Sequence, residues 1–207
     1  MNLELIIAFI VYAGASGITP GPNNMMVLAS GLNYGIRKTI PHIAGIVLGF
    51  GLMVFLTGMG LLSILDLAPF LYDVLHVSSV SCLLYLAWKI ATATPMDSSK
   101  TSHKKPMTFL QAVAFQWVNP KAFVMAMAAI TTYVPETQGA AFFMNVTIVS
   151  VLYALVILPC MGTWAVFGKA FRQFLSKPLY FRIFNVTMAI LLVLSLYPLL
   201  SEIKLGS

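Results

Sequence analysis

Apolar residues run along this chain in long blocks, and the polar residues gather in the short intervals between them. No charged residue falls between Ile43 and Leu65, Val77 and Trp88, Ala122 and Pro135, Thr137 and Gly168, or Ile183 and Ser201. At a rise of about 1.5 Å per residue, about 20 residues cross the hydrocarbon core of a bilayer. The pattern therefore predicts six membrane helices, over about 5–33, 42–65, 70–92, 108–134, 140–167 and 181–200. Strands of a membrane barrel alternate apolar and polar positions over about ten residues. These blocks are apolar on every side for longer than that, so the expected fold is an all-α membrane protein. The first block lacks a basic leader and a small-residue cleavage site and is expected to persist as a helix.

Composition sharpens the picture, since 59% of the 207 residues are apolar and only 9% are charged, a surface no soluble domain could hide. The net charge of +6 is sorted by loop. Arg37 and Lys38 fall between the first two spans, Lys89, Lys100, Lys104 and Lys105 at or after the third, and Lys169, Arg172, Lys177 and Arg182 between the fifth and sixth. The alternate loops and the termini carry Glu4, Asp66, Asp73, Glu136 and Glu202, with Lys204 as their one basic residue. The positive-inside rule then places both termini outside. Charge distributed in this way fits anionic lipid headgroups and argues against a nucleic-acid partner. Cys82 and Cys160 lie within apolar spans and are expected to pack rather than to bridge.

One polar interval, from Thr94 to Met107, divides the chain into halves and is expected to be a cytoplasmic linker. The organisation is thus a single transmembrane domain over 1–207. A first repeat of three helices covers about 1–93, the linker 94–107, and a second repeat about 108–205. His103 sits in the linker among lysines, as a solvated histidine would.

The first and fourth spans are interrupted near their midpoints. Gly17-Ile18-Thr19-Pro20-Gly21-Pro22-Asn23-Asn24 stands in one, and Gln116-Trp117-Val118-Asn119-Pro120-Lys121 in the other. A proline removes a backbone hydrogen bond and clashes with the preceding turn, so neither helix passes through unbroken. Thr19 and Asn119 each precede a proline, and a capping residue followed by proline marks a helix start. With three spans per half the repeats are inverted, and paired breaks in inverted halves point to a transporter's substrate site. A half-helix that starts at the midplane directs unpaired N–H groups and partial positive charge into the protein, where an anion can be held. Lys121 adds a formal charge at that depth, costing about 2.5–3.5 kcal/mol to insert. No carboxylate lies at comparable depth, so either the substrate's own carboxylate or backbone carbonyls must answer it. Asn23, Asn24, Gln116 and Asn119 supply amides that can bind both ends of a zwitterion, or join helices instead. The small-residue runs Gly45 to Gly51 and Gly58 to Gly60 are expected to allow close helix packing.

The groups able to take up or release a proton near this site are His42, near a helix start beside the cytoplasmic mouth, and Lys121. A membrane-embedded enzyme would need a nucleophile, an acid/base pair or a metal cluster, and the scattered histidines and peripheral acids offer none, nor any cofactor site. An exporter of an inorganic ion or another small solute on the same scaffold is the alternative, but a cation site wants intramembrane acid, which this chain lacks. The oligomeric state is left open, a homo-oligomer included.

Taken together, Thr19 to Asn24, Ala44-Gly-Ile-Val-Leu-Gly-Phe50, Tyr85-Leu-Ala-Trp-Lys89 and Asn119-Pro-Lys-Ala122 resemble the lysine exporter and homoserine/threonine exporter (LysE/RhtB) family of bacterial amino-acid efflux proteins. The resemblance spans nearly the whole chain. The run from Tyr85 to Thr92 is closest in wording to the exporters of cysteine and O-acetylserine. The resemblance implies proton-driven export of small amino acids or their derivatives from the cytoplasm. It also carries the family's first motif onto Thr19, Pro20, Gly21, Pro22, Asn23 and Asn24 and its second onto Asn119, Pro120 and Lys121.

Overall fold

The computed structural model describes residues 1–61, 70–92, 106–135, 137–174 and 178–194, and all regular structure among them is helical. Helix α1 spans Leu3–Ile18, capped by Asn2, whose side chain accepts from the Leu5 N–H at 2.9 Å. Helix α2 spans Pro22–Tyr34 and α3 Ile36–Leu56. A π-helical turn, Thr57–Leu61, continues α3. Helix α4 is Phe70–Ala91, α5 Phe109–Gln116, α6 Pro120–Tyr133, α7 Gly139–Phe174 and α8 Pro178–Leu194.

Both expected breaks are present. α1 and α2 meet at a bend of 58°, and α5 and α6 at 63°. The α3 unit over Ile36–Gly60 and α7 over Gly139–Phe171 are long and apolar enough to cross a membrane, which makes four crossings if each bent pair is one span. α4 has the length for the expected third span, with 22 residues giving about 33 Å. α8 covers the first part of the sixth, whose residues 195–200 lie outside the described set.

Two boundaries differ from the hydropathy pattern. α3 begins at Ile36, so Arg37 and Lys38 occupy its first turn rather than a loop. The cause is Gly35, whose φ of 78° is open to glycine and lets α2 turn directly into α3. α7 likewise runs past the apolar block as one helix of 36 residues, taking Lys169 and Arg172 into its last turns. Lys and Arg favour helices and suit the negative end of the dipole, so charge there does not end a helix. The interval 94–105 with His103, Asp66, Glu136, Lys177, Glu202 and Lys204 lies outside the described residues.

α7 and α3 form the centre. α7 packs against α1, α2 and α3, while α3 also lies on α2, α5 and α6. Small residues make the closest crossings, as packing without a hydrophobic driving force requires. A Cβ on Gly31 would overlap the Ala165 carbonyl, and one on Gly168 the Leu28 carbonyl, so α2 and α7 touch backbone to backbone. A Cβ on Gly45 would meet the Phe109 carbonyl, and one on Gly49 would lie 2.8 Å from Val113 Cα, bringing α3 equally near α5. α4 and α8 pair beside this centre and join it through a smaller cluster of Met26, Leu83, Ala87, Phe115 and Ala189. Cys160 is a buried free thiol against Gly17.

Candidate functional site

Breaking a membrane helix frees carbonyls that must find other donors. At the first break, Thr19 N–H closes the last turn of α1 on Ala15 O at 3.2 Å. Pro20 and Pro22 have no N–H to continue the ladder. Gly17 O accepts instead from Asn24 Nδ2 at 2.9 Å, and Ile18 O from Trp164 Nε1 at 3.2 Å. Thr19 O and Pro20 O accept from Lys121 Nζ, at 2.5 and 3.4 Å. The ammonium from the second break therefore neutralises carbonyls opened by the first. Of the two partners expected for Lys121, backbone carbonyls take it in this conformation.

The lysine reaches them by crossing Gly21. That residue is extended, with φ −172°, a conformation open to any amino acid, so its glycine serves space. A Cβ there would stand 2.6 Å from Lys121 Cδ.

Neither half-helix start is capped by a side chain. α2 begins at Pro22 behind Gly21 and α6 at Pro120 behind Asn119, each with proline in the first turn. Asn119 is 2% exposed, and its Oδ1 finds no hydrogen-bond partner among the described residues. A buried amide oxygen left bare costs about 1–3 kcal/mol. Asn23 and Gln116 bond to each other, Nδ2 to Oε1 at 2.8 Å and Nε2 to Oδ1 at 3.3 Å, with Gln116 Nε2 also donating to Ala112 O at 2.8 Å. This pair ties the two breaks together.

One cavity touches both starts. Pro22, Asn23 and Asn24 line it from α2, and Asn119, Lys121 and Ala122 from the second break. It measures about 20 Å³ by the centres of water-sized spheres, which is room for about one water. An amino acid enters only if the walls move, and Lys121 crossing the space above Gly21 is the most flexible of them.

Asn23, Asn24, Asn119 and Lys121 thus converge, with Gln116 bonded behind them. Thr19 and Pro20 contribute carbonyls, and the prolines shape the breaks. His42 is 1% exposed, and neither ring nitrogen has a partner among the described residues. Its helix starts earlier than the pattern indicated, which places it nearly two turns inside α3 and one turn before Ile46, a lining residue. The sequence reading missed Ser16, Phe50, Met125, Ile157 and Met161, which also line the cavity. Ser16 was findable as the polar residue one turn before the break, whereas the others are apolar among apolar neighbours.

The profile of the family described as LysE type translocator matches residues 15–199, from the turn before the first break to the end of the apolar blocks. The chain belongs to this family. As a LysE-family chain with these apolar helices, it is a multi-pass membrane protein. Its relatives include the cysteine/O-acetylserine efflux protein of Escherichia coli O1:K1 / APEC, 33% identical over 195 residues, 93% of this chain and 96% of that one. The proteins of the same name from Escherichia coli strain K12 and Shigella sonnei strain Ss046 are each 31% identical over 194 residues, with the same coverage. No solved structure matches the LysE-family chain.

Proposed function

We propose that this protein is a secondary transporter of the bacterial inner membrane that exports small amino acids or their derivatives from the cytoplasm, coupled to protons. The observation that carries the reading is one cavity bounded by two uncapped helix starts, a lysine ammonium and a bare buried amide oxygen. The starts and Lys121 suit a carboxylate, and Asn119 Oδ1 suits an ammonium. On binding, Lys121 turns from the carbonyls of Thr19 and Pro20 to the carboxylate, and the substrate's ammonium takes Asn119 Oδ1 and the carbonyls released. The two inverted halves then rock about this point, exposing it to one face and then the other. The similar bends of the two broken pairs support that symmetry, and the loop charges support termini on the outer face. The efflux relatives named for cysteine and O-acetylserine favour small polar substrates, in keeping with the narrow cavity.

The test is efflux of a panel of labelled amino acids from dipeptide-loaded cells expressing wild type, Asn119→Leu or neither. Wild type is expected to release small amino acids well above the control, and Asn119→Leu to slow that release about tenfold, as a lost hydrogen bond to a charged group implies. Equal release from wild type and control cells would sink the reading.

For the proton we assign His42, an imidazole able to take up and release a proton. Its unpartnered nitrogens one turn from the cavity support this role. In proteoliposomes, an imposed proton gradient is expected to accelerate wild-type transport several-fold and to leave His42→Gln unaffected, while exchange without a gradient continues in both. Undiminished gradient dependence in His42→Gln removes the histidine from the coupling path.

A further inference from the structure

The cavity has a second polar feature that the binding of a zwitterion leaves unused. Ser16 lines it from α1, one helical turn, or about 4.5 Å of rise, before Thr19 and its bond to Lys121. Its Oγ lies 2.8 Å from the Tyr153 hydroxyl and 3.3 Å from Ala13 O. Tyr153 is fully buried, with the rings of Phe9, Tyr12 and Phe50 at centroid distances of 5.2, 6.1 and 4.8 Å. Packed in this way, its hydroxyl is a fixed post. The apolar part of the cavity wall is formed by Phe50, Met125, Ile157 and Met161, among others.

A hydroxyl has one proton and two lone pairs. Either hydroxyl can donate in the Ser16–Tyr153 bond: where Tyr153 donates, Ser16 keeps its own proton for Ala13 O, a bond long for an O–H donor, and where Ser16 donates, a lone pair on its Oγ stays open to a donor. In the first case an acceptor arriving in the cavity at an ordinary distance displaces Ala13 O without disturbing the Tyr153 bond. Ser16 and Lys121 line the same cavity, so a substrate held there by its carboxylate keeps a short side chain in the space that Ser16 faces.

We propose that Ser16, oriented by Tyr153, is a specificity-determining residue that hydrogen-bonds a polar atom near the end of a short substrate side chain, such as a hydroxyl or an ester carbonyl. Tyr153 is a positioning residue and does not touch the substrate. This assignment rests on the amino-acid exporter reading above. It accounts for selection within that class, because a hydroxyl facing apolar walls favours a side chain that can use it over one of equal size that cannot.

The experiment measures KM and maximal rate for serine and for 2-aminobutyrate, which puts a methyl where serine has a hydroxyl, in proteoliposomes of wild type, Ser16→Ala and Tyr153→Phe. The expected result is a preference for serine in wild type that falls about tenfold in Ser16→Ala, through a higher serine KM with 2-aminobutyrate unchanged. Tyr153→Phe shifts the ratio in the same direction by a smaller factor. If Ser16→Ala slows both probes alike, or leaves the preference intact, the assignment is wrong while the exporter reading stands. If wild type transports neither probe, both fall.

Discussion

Replacing Lys121 by methionine is expected to reduce amino-acid efflux about thirtyfold or more while leaving the protein folded and inserted. Removing one partner of a buried, hydrogen-bonded charge pair costs about 2–5 kcal/mol, and each 1.4 kcal/mol or so is a factor of ten. Stability should change little because two opposing terms are similar in size. The lysine costs about 2.5–3.5 kcal/mol to place at midmembrane depth, and its hydrogen bonds to Thr19 O and Pro20 O return about 1.5–3 kcal/mol. A purely structural lysine gives the opposite outcome, a less stable protein with substrate affinity intact. Gly21→Ala provides a second line that keeps the charge. Its backbone is already extended, so alanine is not strained there, but the new methyl occupies the path of the Lys121 side chain. Efflux from Gly21→Ala is expected to fall at least tenfold through displacement of the ammonium alone. The checks are efflux from dipeptide-loaded cells and thermal melting of the purified proteins in detergent. Normal efflux by Lys121→Met would return the lysine to the role of a plug for broken backbone.

The breaks were legible in the sequence because each joins proline to a helix-starting neighbour, Thr19-Pro-Gly-Pro22 in one and Asn119-Pro120 in the other, and the bends fall there. Proline alone would not have sufficed, since α3 and α7 continue through Pro41 and Pro159. The amides and Lys121 were legible for a related reason, since polar groups at membrane depth need partners and partners there are few. Which partner each one takes was not legible. Gln116 and Asn23 are 93 positions apart and meet only once α5 and α2 are both seated on α3. Because the rule that charge marks the end of a membrane helix set the start of α3 too late, His42 lies further inside its helix than the pattern indicated. Arg37 and Lys38 precede it, yet Gly35 lets the helix begin before all three. The apolar wall of the cavity left no trace in the pattern. Met125, Ile157 and Met161 have the same period and character as neighbours that pack against other helices, and only the assembled bundle distinguishes them.

Gly168→Ala is expected to be among the most damaging single-methyl changes in this protein, and Gly162→Ala, in the same helix, to be harmless. Both glycines are helical, so the propensity gain from alanine applies to each, stabilising by about 0.4–1 kcal/mol where the space is free. It is free at Gly162, where an added Cβ meets nothing within 4 Å. At Gly168 the Cβ overlaps the Leu28 carbonyl and lies 2.9 Å from the Leu32 nitrogen. These are backbone atoms, which cannot rotate away as a side chain would, so α2 and α7 must separate. Overpacking of this kind costs about 1–3 kcal/mol, and more where backbone resists. The damage also reaches the cavity, because α2 carries one of its two helix starts. Moving α2 off α7 displaces Asn23 from Gln116 and loosens the carbonyl cradle of Lys121. Detergent melting curves of the two variants should therefore diverge in opposite directions from wild type, with efflux lost in Gly168→Ala and retained in Gly162→Ala. Equal behaviour of the pair would mean that α2 and α7 do not meet backbone to backbone, and the site built between the two breaks would lose its scaffold.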